Sequence, residues 1–426
     1  MSADLVIKGG RVVDATGARL ADVAIADGRI VDVGPDLSGR VVLDAAGCVV
    51  SPGLVDLHTH LREPGKEEAE TVETGSRAAA LGGYTAVVAM PNTTPAIDCA
   101  AVVREVQELG RRAALVDVYV AGAITIGRQG ETLAPMGEMA ALGVRFFTDD
   151  GTGVQDGRMM RRAMEYAKGL GVTLAQHCED DAIAGGGVMH EGEWSSRLGM
   201  PGQPSEAEEL MVMRDIILAR LTGARVHFQH LSTRRSIEYV EAARLAGLPV
   251  SAEATPHHFT LTHAACSGFD PVFKVNPPLR TDDDVAAVRA GLAAGAFDAI
   301  ATDHAPHAAH TKEVPFDQAP PGMLGLETAL ALALTELQMP IEHVLALMSW
   351  QPARLARIDD LHGGPIAAGR VANLCVIDPL AAWVVDPSKL ASRAKNTPFA
   401  GRSLRGRVRH TVFGGVTVVV DGEATR

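Results

Sequence analysis

Asp56-Leu57-His58-Thr59-His60 closes a short apolar run, and in an extended chain the two-residue spacing puts both imidazoles on one side. Two histidines can thus face one cation. Alone, His-x-His is weak evidence, because either ring serves equally well in a packed core or at a surface. Four other apolar runs end similarly: Thr148-Asp149-Asp150-Gly151, Gln176-His177-Cys178-Glu179, Gln229-His230-Leu231-Ser232 and Thr302-Asp303-His304-Ala305-Pro306-His307. If such ends converge, four imidazoles and two carboxylates surround one or two borderline cations, and nitrogen with oxygen donors suits zinc. Each residue singly reads as a satisfied core histidine or a helix-capping aspartate, but their recurrence at run ends favours a metal centre.

The elements that must position these residues are eight apolar or β-branched runs: Leu54–His60, Tyr84–Pro91, Val116–Thr125, Val144–Gly151, Val172–Asp180, Val226–Thr233, Pro249–His258 and Phe297–His307. Stretches of helical composition lie between most of them, with the third-to-fourth crossover the least clear. This alternation predicts an α/β fold, a (β/α)8 TIM-type barrel, whose chemistry sits at the C-terminal strand ends. A doubly wound open sheet would normally have fewer strands and a Gly-rich turn after the first, which SPGLVDLHTH lacks. Both flanks read as short alternating strands with Gly or Asp turns, so the termini are expected to meet in one small composite β-sandwich domain. The expected division is 1–53 and 363–426 for that domain and 54–362 for the barrel. The Pro-rich interval PHAAHTKEVPFDQAPPGMLG is long for a barrel loop and is expected to border the active site.

With 47% hydrophobic and 21% charged residues, the 426-residue chain is neither disordered nor fibrous. Its net charge of −13 and lack of basic blocks argue against nucleic acid. No run reaches membrane-spanning length, and MSADLVIKGG lacks the pattern of a signal peptide, so a cytoplasmic location is expected. The five scattered cysteines form no CxxC pair, against a thiolate zinc site.

HTHLREPG, MPNTTP, FTDDG, QHCED, QHLST, ATPHHF, KVNPPLR and ATDHAPH together resemble the bacterial type I dihydroorotases of the amidohydrolase superfamily. The likeness spans almost the whole chain; HTH or DHAPH alone is shared with hydantoinases and allantoinases. It implies a barrel, a composite β domain and one or two zinc ions, and an enzyme that interconverts N-carbamoyl-aspartate and dihydroorotate. It further implies that His58 and His60 hold one zinc, His177 and His230 a second, and Asp150 bridges them, with Asp303 as acid/base touching the first. Hydantoinases use a carbamylated lysine on strand four, and VRFFTDDG has none, so Asp150 takes that place, with Asp149 the lesser choice. His60, Asn92, Asn276, His307, Pro321 and Gly322 are implied substrate contacts. PPGMLG lacks the bulky residue that relatives often carry before the glycine, which leaves Pro321 a main-chain contact.

Opening a six-membered cyclic amide needs an activated water and a polarised carbonyl, both of which zinc supplies. The substrate is anionic in either form, and Arg62, two residues after His60, is placed to clamp its carboxylate. The alternative is that Arg62 pairs with Glu63 or Glu67 at the surface. Rival functions are a hydantoinase or dihydropyrimidinase, and a catalytically silent scaffold for aspartate transcarbamoylase. Partners compatible with the main reading are a second copy of the chain and that same transcarbamoylase.

Overall fold

A computed structural model describes residues 3–426. Eight short strands run through the middle of the chain: β1 Leu54–Thr59, β2 Tyr84–Ala89, β3 Asp117–Val120, β4 Phe146–Phe147, β5 Thr173–Gln176, β6 Arg225–Phe228, β7 Val250–Ala254 and β8 Ala299–Ile300. All direct pairings among them are parallel. Two single parallel bridges, Gly122 with Phe147 and Thr59 with His304, join β3 to β4 and β8 back to β1. Asp56 reinforces the second junction by accepting from the Thr302 N–H at 2.8 Å and its hydroxyl at 2.6 Å.

A helix follows each strand: Val72–Leu81, Ala100–Ala113, Met136–Ala141, Gly157–Leu170, Glu206–Thr222, Arg234–Leu245, Asp282–Ala294 and Ala329–Glu336. Gly157–Leu170 illustrates why they form. Asp156 caps it by accepting from Met159 N, and Met160, Ala163, Met164 and Ala167 present one buried face at helical spacing. The third crossover is only a 3₁₀ turn at Ile126–Arg128 and the six-residue helix Met136–Ala141, too short to leave a periodic signal.

Each ladder stops short of the expected run. At or just beyond these short ladders Arg62, His230 and Asp303 take left-handed backbone angles, φ +62°, +33° and +45°. Side-chain-bearing residues adopt that region at a cost, and such strain collects at functional positions.

The flanks form two sheets. One is N-terminal, from Ala3–Lys8, Asp22–Ala26, Arg29–Gly34 and Gly39–Asp44. The other has seven strands from both ends of the chain, joined where Leu374–Val384 pairs antiparallel with Val49–Pro52. Ile7, Val12, Ile25, Val50, Val376 and Val412 share one buried cluster between them. Among the described residues no helix is long and apolar enough to cross a membrane.

Candidate metal centre

His58, His60, Asp150, His177, His230 and Asp303 come from five different strand ends, and the structure brings all six together, each at most 5% exposed. Two sets have ligand atoms close enough to hold an ion: His58, His60 and Asp150, and Asp150, His177 and His230. Asp150 belongs to both.

The hydrogen bonds behind the first set decide what its front can do. His58 Nδ1–H donates to Glu253 Oε1 at 2.8 Å, and His60 Nδ1–H donates to Asn92 Oδ1 at 2.8 Å. Each ring therefore turns Nε2 forward, where its lone pair is available to a cation. His58 Nε2 faces Asp150 at 3.2 Å and Asp303 at 3.5 Å, while His60 Nε2 faces Asp303 at 3.1 Å and Asp150 at 3.5 Å. Lone pairs aimed at carboxylate oxygens repel unless a positive charge lies between them, so the donor set fits a cation. In the second set His177 Nδ1 lies 2.8 Å from His230 Nε2, and both face Asp150 Oδ1, at 3.8 and 4.0 Å.

The local field shows the same demand for positive charge. Burial pulls His58 down, but the charges of Asp150 and Asp303 outweigh it and hold the ring well above its usual value, so a proton takes the place on Nε2 whenever no cation stands there. Burial would raise Asp150, but His58, His60 and His177 hold it well below the carboxylate range. Burial and then Arg62 lower His60; burial, His177 and His58 lower His230.

A cavity of about 160 Å³ opens over these groups, and Arg62, Asn92, Asn276, His307, Pro321 and Gly322 all line it. Arg62 is 7% exposed and donates through Nε to Pro306 O, with Nη2 3.4 Å from His307 Nε2. It pairs with neither Glu63 nor Glu67, which accept from Val72 N and Gly65 N instead. Burial lowers Arg62 to about 10, which leaves it charged at neutral pH. Gly322 has φ +136°, and a β-carbon there would stand 2.8 Å from His307 Nε2 and Ala305 Cβ. Its N–H is held by Lys274 O at 2.8 Å, and Pro321 O accepts from His307 Nε2–H at 2.8 Å. A larger cavity of about 940 Å³ lies between Arg77, Glu327, Trp383 and Arg407, away from every one of the clustered donors.

A family profile described as dihydro-orotase-like matches residues 47–236. The chain is 49% identical to a dihydroorotase of Pelotomaculum thermopropionicum, covering 98% of this chain and 99% of that one. It is 48% identical to a dihydroorotase of Mycobacterium tuberculosis over 94% and 95% of the two chains. The chain belongs to the dihydroorotase family. Solved structures with a similar fold include an L-hydantoinase (dihydropyrimidinase) from Arthrobacter aurescens, TM-score 0.89 at 24% identity over 100% and 98% of the chains. A dihydropyrimidinase from Brevibacillus agri gives 0.87 at 23% identity over 99% and 96%.

Around this dihydroorotase-family centre, some residues have contacts that their motifs do not convey. Asn92, expected at the substrate, also donates to Asp150 Oδ2 at 3.2 Å and so links it to His60. Asp149 points away, accepting from the Ile124 and Thr125 N–H groups at 2.8 and 3.0 Å and tying β4 to the end of β3. His258 bonds Thr255 and Pro277 O at 2.7 and 3.0 Å, supporting the loop that carries Asn276. Two residues escaped sequence reasoning altogether. Glu253 lies inside β7, fully buried, where a lone glutamate in an apolar run was the only available signal. Asn396 sits in the C-terminal segment, yet it accepts from His307 N at 3.1 Å and donates to Ala305 O and Gly322 O at 3.0 and 3.2 Å.

Proposed function

We propose that the chain is a zinc-dependent dihydroorotase, interconverting N-carbamoyl-aspartate and dihydroorotate in the cytoplasm. The observation that carries the chemistry is the pair of forward-facing Nε2 lone pairs on His58 and His60, set against Asp150 and Asp303. Bound there, zinc supplies a Lewis acid and lowers the pKa of water toward neutrality. His58, His60 and Asp150 would hold one ion, and Asp150, His177 and His230 would supply the donors for a second.

In ring opening, Asp303 accepts the proton of the attacking water and delivers it to the ring nitrogen as the carbon–nitrogen bond breaks. In closure it removes the proton of the ureido nitrogen. Arg62 binds the substrate carboxylate through its guanidinium, and Asn92, Asn276, His307 and the Pro321-Gly322 main chain border the ring. In the present conformation Gly322 N–H is engaged by Lys274 O, which leaves the Pro321-Gly322 segment to act by shape.

We read the eight parallel strands and their two closing bridges as a (β/α)8 barrel over residues 54–362. Residues 1–53 and 363–426 are read as a composite β domain, supported by the pairing of Leu374–Val384 with Val49–Pro52. The buried arginine favours an anionic ring over hydantoin, and the convergent donors argue against a silent scaffold. The test is an assay of purified protein on dihydroorotate and on hydantoin, with metal analysis before and after chelator treatment. Turnover of dihydroorotate that vanishes on chelation and returns with zinc is expected; activity on hydantoin alone would end this reading.

A further inference from the structure

We propose that Glu253 is a positioning residue that fixes the tautomer of His58 through a buried relay continuing to His227 and Ser251. The inference rests on the metal reading above. The relay spans three strands: His58 on β1, His227 on β6, and Glu253 with Ser251 on β7. Glu253 Oε1 accepts from His58 Nδ1–H at 2.8 Å, and Oε2 accepts from His227 Nε2–H at 3.0 Å. His227 Nδ1 in turn accepts from the Ser251 hydroxyl at 2.9 Å. His58, His227 and Glu253 are each at most 1% exposed, so water cannot substitute for any of these contacts.

His58 is the ring that needs such control. The Gln229 amide nitrogen also approaches His58 Nδ1, at 3.3 Å, and its N–H would select the opposite tautomer, with the proton on Nε2. A protonated Nε2 cannot bind a cation. The carboxylate wins because its bond is shorter and charge-assisted, about twice as strong as a neutral one. Gln229 is itself held by accepting from Thr148 Oγ at 2.9 Å. The partner His227 matters because a carboxylate held at both oxygens cannot rotate away from His58. Carboxylate support of this kind orients metal-binding imidazoles and raises their basicity.

The experiment compares wild type with Glu253→Gln and His227→Gln, each stripped of metal. Zinc affinity is measured by competition with a chromogenic chelator, and the His58 tautomer by nitrogen NMR of labelled imidazole recorded above the pH at which the ring loses its second proton. Glu253→Gln is expected to weaken zinc binding 10- to 100-fold and to move His58 toward the Nε2–H form. His227→Gln keeps the carboxylate and should cost less than Glu253→Gln. If Glu253→Gln does not fold, a His227→Gln protein with unchanged affinity and tautomer overturns the proposal. Folded Glu253→Gln with zinc affinity within twofold of wild type and the Nδ1–H tautomer intact also overturns it. Wild type that binds no zinc would overturn the metal reading instead, while the tautomer measurement still tests the relay.

Discussion

Asp303 stands where two demands meet, since its Oδ1 lies 3.1 Å from His60 Nε2 and 3.5 Å from His58 Nε2 and it also borders the cavity. Replacing it with asparagine keeps an oxygen donor and removes the proton acceptor. Asp303→Asn is expected to retain zinc by elemental analysis and to lose at least about 100-fold in kcat on dihydroorotate; near-normal turnover would refute the acid/base role. Arg62→Met removes charge while keeping much of the buried stem. A hydrogen-bonded charge is worth about 1.5–3 kcal/mol, so kcat/KM for dihydroorotate should fall roughly 10- to 100-fold with zinc content unchanged. Parallel loss of metal and activity would make Arg62 a structural residue. Both residues were legible because they sit at or just past strand ends, where polar types interrupt an apolar run. Glu253 was not, because in sequence a buried glutamate inside a strand looks the same whether it faces a neighbouring helix or a histidine two strands away.

At the scale of elements, the order of strands and helices could be read from apolar runs, while their ends could not. Val144–Gly151 shrinks to the paired Phe146–Phe147 because Thr148 to Asp150 leave the ladder to serve β3 and the histidine–carboxylate cluster. The crossover after β8 carries a separate signal. Glu327, just before helix Ala329–Glu336, accepts from Ala391 and Ser392 N–H at 2.9 and 3.3 Å, and burial raises it to about 7 despite these bonds and Lys395. The folded state thus holds this proton more firmly than the unfolded chain does. Its contribution to stability is full below the unfolded value near 4.5 and is lost as pH rises through 7. Glu327→Gln keeps an acceptor without the titration. Relative to wild type, the variant should gain on the order of 1–2 kcal/mol between pH 5 and pH 8 in urea unfolding, an amount reduced by water reaching the side chain through the larger cavity. A difference between the two proteins that does not change with pH would mean that Glu327 titrates normally.

The chain as a whole returns to the cavity over its donor cluster. After Leu374–Val384 it runs back toward the eight parallel strands, where Ser392 meets Glu70 and Asn396 secures the cavity rim. A boundary drawn by strand composition at 363 places this segment with the flanking sheets, although its side chains brace the cavity. Sequence periodicity carries no information about that return, because it depends on contacts between residues nearly 90 positions apart, such as Asn396 with His307. Asn396 bonds three main-chain groups on both sides of the Pro-rich loop, and that loop holds His307 and Gly322 against the cavity. Asn396→Ala leaves those groups unpaired at about 1–3 kcal/mol apiece, which the loop can relieve only by shifting. The cost should therefore appear mainly in substrate binding. KM for dihydroorotate is expected to rise several-fold, with kcat within about twofold and zinc content unchanged, because none of the six donors contacts Asn396. If KM stays at the wild-type value in a folded Asn396→Ala protein, the loop keeps its position without the C-terminal segment, and the long return of the chain serves stability alone.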